Sequence, residues 1–113
     1  MKKLKWADAL SMIESQSNSS KVYFIFFSIQ DDLNCKLMKS MITDIEASYN
    51  SIKDVSFYEI DAKESDVYLV PNTRYELLEV PTFCVIKNNE LLNVGHNFYP
   101  KEVLINWLNE ALN

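Results

Sequence analysis

Val22-Tyr23-Phe24-Ile25-Phe26-Phe27, then Ser28-Ile29-Gln30-Asp31-Asp32-Leu33-Asn34, then Cys35: the reading of this stretch decides the fold. The uncharged apolar run reads as a short strand buried on both faces. The polar residues after it end the run. Beyond Cys35, the residues Leu37, Met38, Met41, Ile42, Ile45 and Tyr49 recur at the three- and four-residue spacing of an amphipathic helix. The unit is strand, bend, helix, with a thiol at the head of the helix. Free N–H groups and the helix dipole at such a position favour thiolate.

The flanking sequence extends this unit in both directions. Upstream, Trp6, Ala9, Leu10 and Ile13 share one face, which predicts a helix from Lys5 to Ser15. Ser15 to Ser20 is a polar loop. Downstream, Asn50-Ser51 ends the long helix, and Val55 to Asp61 has the β-propensity of a strand. A polar connection to Asp66 leads to a short helix over Val67–Tyr75, weakened by Pro71. Leu77-Leu78-Glu79-Val80-Pro81-Thr82 then enters a strand over Phe83–Ile86. Asn88-Asn89 tolerates positive φ and suits a tight hairpin into Leu91–Val94. Gly95 is the only glycine, so its position should require one. Pro100 fits the first turn of a last helix with Val103, Leu104, Trp107, Leu108 and Leu112 on its apolar face. The order α, β, α, β, α, β, β, α predicts one α/β domain over residues 1–113, a mixed sheet with helices on both faces.

Composition narrows the functional classes. Apolar residues make up 48% of 113, enough for one core, and the net charge is −5. No Lys/Arg cluster offers a surface for nucleic acid. Met1-Lys2-Lys3-Leu4-Lys5 looks like the opening of a signal peptide, but Asp8 and Glu14 interrupt the apolar core that should follow. The run from Val22 is far short of the roughly 20 residues that span a bilayer. The expectation is a soluble cytoplasmic protein without membrane or nucleic-acid partners. Cys35 and Cys84 are too few for a disulfide scaffold, and a bridge between them is not expected in a reducing cytosol. Cys84, within an apolar strand, reads as core. His96, the only histidine, makes no metal site by spacing, and no cofactor is implied. Taken alone, Cys35 reads as a packing residue or as a reactive thiol. Asp31 and Asp32 read most simply as carboxylates that favour a helix start.

The layout and its local motifs resemble the thioredoxin family over nearly the whole chain. Three features carry the resemblance: the apolar strand leading to Cys35-Lys36 at a helix head, Val80-Pro81-Thr82 before a strand, and Lys87-Asn88-Asn89-Glu90 followed by Val94-Gly95. The resemblance implies a thioredoxin fold with a sheet of four or five strands and a cis-proline turn at Val80–Pro81. The short strand that usually precedes the first helix has only Lys3-Leu4-Lys5 to supply it.

The departures bear on activity. Members that exchange disulfides carry Trp-Cys-Gly-Pro-Cys-Lys or a close variant, where this chain has Asp31-Asp32-Leu33-Asn34-Cys35-Lys36. The resemblance thus puts Asp32 in place of the attacking cysteine and keeps Cys35 as the sheltered second thiol. Exchange needs a thiolate that attacks and a second thiol that resolves the mixed disulfide. The acid buried below the motif in many thioredoxins falls at Phe26, the tryptophan after it at Ser28, and the lysine near the acid at Phe57. Hydrocarbon is therefore expected beneath Cys35. What the resemblance leaves is binding of an extended, basic peptide segment by Asp31, Asp32, Ile60, Glu79, Val80, Pro81, Gly95 and His96, with an apolar floor. Two alternatives are a one-cysteine redox protein working through Cys35, and a specialised subunit of a larger assembly. A similar fold with Asp-x-x-Cys occurs in a subfamily of spliceosome subunits.

Overall fold

The computed structural model describes residues 1–15, 20–52, 54–63 and 80–113. In chain order they form β1 (Lys2–Lys3), α1 (Trp6–Ser15), β2 (Val22–Ser28), α2 (Leu33–Ser48), β3 (Val55–Asp61), β4 (Thr82–Lys87), β5 (Glu90–His96) and α3 (Lys101–Leu112). The polar loop at 16–19, the helix expected over Val67–Tyr75 and the approach through Glu79 lie outside the described residues.

The strands make one sheet in the order β1-β3-β2-β4-β5. β3 pairs parallel with both β1 and β2, while β4 pairs antiparallel with β2 and β5. All of β2 is buried, which explains its unbroken apolar run. Val22, Phe24 and Phe26 point to one face, where they pack with Met38, Ile42 and Ile45 of α2 and Leu104 and Leu108 of α3. Tyr23, Ile25 and Phe27 point to the other, with Ala9 and Ile13 of α1 and Ile60 of β3. A strand of alternating polarity in this place would leave polar groups without partners on one face. No helix among the described residues is long and apolar enough to cross a membrane.

Three details differ from the sequence reading. The first strand is Lys2–Lys3 rather than Lys3–Lys5. Leu4 leaves the ladder to pack against the α1-side core, although its N–H still reaches the Glu59 carbonyl at 3.0 Å. Pro100 stands just before α3 as its N-cap residue instead of inside the first turn. Gly95 is required for space, not for backbone conformation, since its φ is not positive. A Cβ there would meet Phe83 Cε2 at 2.5 Å, Trp107 Cη2 at 3.0 Å and Tyr99 Cε1 at 3.1 Å. Those three rings pack edge-on or tilted against one another, with centroids 5.3–6.3 Å apart. The hairpin follows its asparagines: Asn88 and Asn89 have φ of 56° and 59°, as a tight two-residue turn demands. Along β5 the register skips Leu92. Such a bulge on an edge strand discourages pairing with another chain.

Candidate functional site

The carboxyl end of β2 delivers the chain into the bend that opens α2. Asp31 takes a left-handed conformation, φ 67°, which Asp tolerates better than most residues. Asp32 is extended (φ −86°, ψ 127°) and caps α2, its Oδ1 accepting from the Cys35 N–H at 2.8 Å. The helix head is thereby already supplied with an anion. Cys35 lies one turn in, only 4% exposed. Its thiol is pushed up from 9.0 to about 11, first by burial and then by Asp32 and Glu59, against a lowering hydrogen bond from the Ile29 backbone. The dipole that favours thiolate at a helix start is outweighed here by desolvation and by negative charge.

The floor beneath Cys35 is not hydrocarbon throughout. Phe26 and Phe57 are buried as expected, but the β3 residue paired with Phe26 is Glu59, itself 4% exposed. Ser28 Oγ donates to Glu59 Oε2 at 3.0 Å. Lys39 Nζ, reaching down from α2, lies 3.1 Å from Oε1 in an ion pair without hydrogen-bond alignment. A buried carboxylate needs such partners, because an unpaired charge in the interior is costly. Cys35, Ser28, Asp31, Lys39 and Glu59 line one cleft of about 160 Å³. Sequence reasoning missed Glu59 and Lys39. The available signal was period: Glu59 is in phase with Val55 and Phe57, the inward side of β3.

The second wall is the start of β4 with the end of β5. The Val80–Pro81 peptide bond is cis. Pro81 is buried, and its carbonyl accepts from Asn97 N–H at 2.8 Å. Asn97, with φ 69°, in turn accepts at Oδ1 from Asn34 Nδ2 of α2 at 3.1 Å. This chain of bonds joins the three segments that carry the expected site residues. Across the β4–β5 ladder, Thr82 Oγ1 and His96 Nδ1 lie 2.9 Å apart. Asp31 is exposed, and Asp32, Val80 and His96 are half-buried. Ile60 is a correction: it is fully buried against α1 and offers a partner no surface, because its side of β3 faces that core. Gly95 is buried beneath the aromatic rings, so no apolar floor opens there. Glu79 lies outside the described residues. Both cysteines are free, and Cys84 packs on the α1 side of the sheet with its thiol pushed up to about 12 by burial.

No protein-family model matches the chain. A thioredoxin from Mycoplasmopsis pulmonis (strain UAB CTIP) is 26% identical over 111 residues, 97% of either chain. In fold, the chain is similar to a mutant thioredoxin from Halobacterium salinarum NRC-1, with a TM-score of 0.77 over 99% of this chain and 90% of that one. The chain is a thioredoxin-like protein. The structural likeness, at 13% identity, supports the fold alone. The Asn34–Asn97–Pro81 bonds bring the head of α2 and the turn at Pro81 together.

Proposed function

We propose that this thioredoxin-like protein is a cytoplasmic protein-binding module whose active-site position is degenerate, with little or no dithiol–disulfide exchange. The observation that carries the reading is the state of the one remaining thiol. Cys35 is 4% exposed with its pKa raised to about 11, while a carboxylate, Asp32, holds the helix cap in front of it. A carboxylate does not attack a disulfide sulfur, and a buried neutral thiol attacks slowly. The face left for a partner comprises Asp31, Asp32, Val80 and His96, acidic on the α2 side, which suits an extended segment of basic character. The one-cysteine redox reading has less support, because it needs the sulfur that burial withholds.

The test is insulin reduction with dithiothreitol as the electron source. Wild type should run at the uncatalysed rate, and Asp32→Cys should run clearly faster. Wild-type turnover equal to that of the variant would defeat the reading.

A further inference from the structure

Of the expected site residues, Ile60, Pro81 and Gly95 are buried, yet large apolar side chains are exposed nearby. Leu33 is 70% exposed, Leu37 55% and Phe98 61%. Leu33 and Leu37 stand one turn apart on the outward side of α2. Phe98 follows Asn97, whose bond to Asn34 ties it to that same turn. Clustered exposed hydrophobics beside a candidate site mark interaction surfaces more often than isolated ones do.

We propose that Leu33, Leu37 and Phe98 form the docking surface for an extended segment of another protein, bearing two apolar side chains two residues apart and a basic residue at each end. The inference rests on the peptide-binding reading above and specifies its partner. Spacing supports an extended occupant. Leu33 and Leu37 are about 6 Å apart along the helix axis, and alternate side chains of a strand are about 7 Å apart. Charge supports the basic ends. Asp31 and Asp32 precede Leu33, and Asp44 lies on the line of Leu37 two turns on. From Asp32 to Asp44 is about 18 Å of helix, which an extended segment covers in about five or six residues. Of the lysines on this part of α2, Lys36 and Lys39 line the cleft over Cys35, and Lys39 is held by Glu59. A second copy of this chain is a poor occupant, since it would set the same carboxylates against each other on a molecule of net charge −5.

The experiment is fluorescence anisotropy with fluorescein-labelled Arg-Thr-Leu-Thr-Leu-Thr-Arg and two controls, one with both leucines changed to serine and one with both arginines changed to glutamate. The full chain is titrated as wild type, Leu37→Ser and Phe98→Ser, with thermal melts to confirm folding. The parent peptide should bind wild type; each variant should weaken binding about tenfold, the scale of one buried apolar side chain, the serine peptide should lose more because it lacks both leucines, and the glutamate peptide should also bind more weakly. If the serine peptide binds as well as the parent, or both variants bind like wild type, the docking surface is wrong while the peptide-binding reading survives. If no peptide binds wild type, both fall. A wild-type dimer that Phe98→Ser dissociates makes a second copy the occupant and overturns the proposal.

Discussion

The head of α2 and the floor beneath it each set a carboxylate near Cys35, and the two are stabilised by different means. Asp32 is at the rim, half-buried, and the Cys35 backbone N–H of the helix answers its charge. Glu59 is enclosed, and side chains from two other elements answer it: the Ser28 hydroxyl from β2 and the Lys39 ammonium from α2. A capping acid needs only the helix it starts. An acid inside a sheet needs partners brought from elsewhere in the chain. Both carboxylates nonetheless act on the thiol in one direction, disfavouring thiolate.

The largest effect that can break this comparison is on thiol reactivity. Raising the Cys35 pKa from 9.0 to about 11 leaves roughly a hundredfold less thiolate at neutral pH. Iodoacetamide should therefore label Cys35 at pH 7 at least about a hundredfold more slowly than a free cysteine, burial adding to the thiolate deficit. Asp32→Asn should speed labelling more than Glu59→Gln, and neither should restore the free rate, because desolvation is the leading cause. A larger gain from Glu59→Gln would reverse the ranking of rim and floor. The same thiol makes stability fall in alkali. Its folded pKa lies above the unfolded one, so its contribution is full below about pH 9 and is lost as pH rises through about 11. Cys35→Ala should flatten that part of the pH–stability curve.

Rim and floor also differ in how far the sequence shows them. Asp32 is legible because capping is local: an acid three residues before Cys35 at the end of a polar bend is sufficient. β2 is legible because burial on both faces leaves no polar residue before its last position. Glu59 is legible only as a residue in phase with Val55 and Phe57; its partners are not, since Ser28 and Lys39 meet it only through the β2–β3 register and the seating of α2. Reading Phe26 and Phe57 alone suggests hydrocarbon, and the charge one strand over from Phe26 escapes that reading. Ile60 fails for a related reason: its face of β3 is fixed by where α1 packs, which no local pattern states. Gly95 is legible as a requirement but not as a cause, because the three rings that exclude a Cβ come from β4, from the chain after β5 and from α3.

The next effect concerns stability and tests whether the floor is held by charge. Lys39→Met leaves the Glu59 carboxylate buried with only the Ser28 hydroxyl. Removing one partner of a fully buried pair costs about 3–5 kcal/mol, and the half-exposed Lys39 brings the expected loss down to about 2 kcal/mol. Glu59→Met removes the buried charge itself and fills its volume, so it should lie within about 1 kcal/mol of wild type. Urea unfolding of the two variants gives the comparison. A greater loss from Glu59→Met would mean that the Ser28 bond and the packing, rather than the ion pair, hold the floor.

The smallest effect belongs to the rim. Asp32→Ala removes the acceptor for the Cys35 N–H and should cost about 1 kcal/mol, within the usual range for losing a helix cap. Asp32→Asn and Asp32→Ser keep an acceptor oxygen and should lose only a few tenths of that, although Asn and Ser carry no charge. The three variants separate the two contributions of the carboxylate: its hydrogen bond should govern stability, and its charge should govern the thiol. Equal losses in Ala, Asn and Ser would assign the stability to charge at the helix start instead, and added salt would then shrink all three.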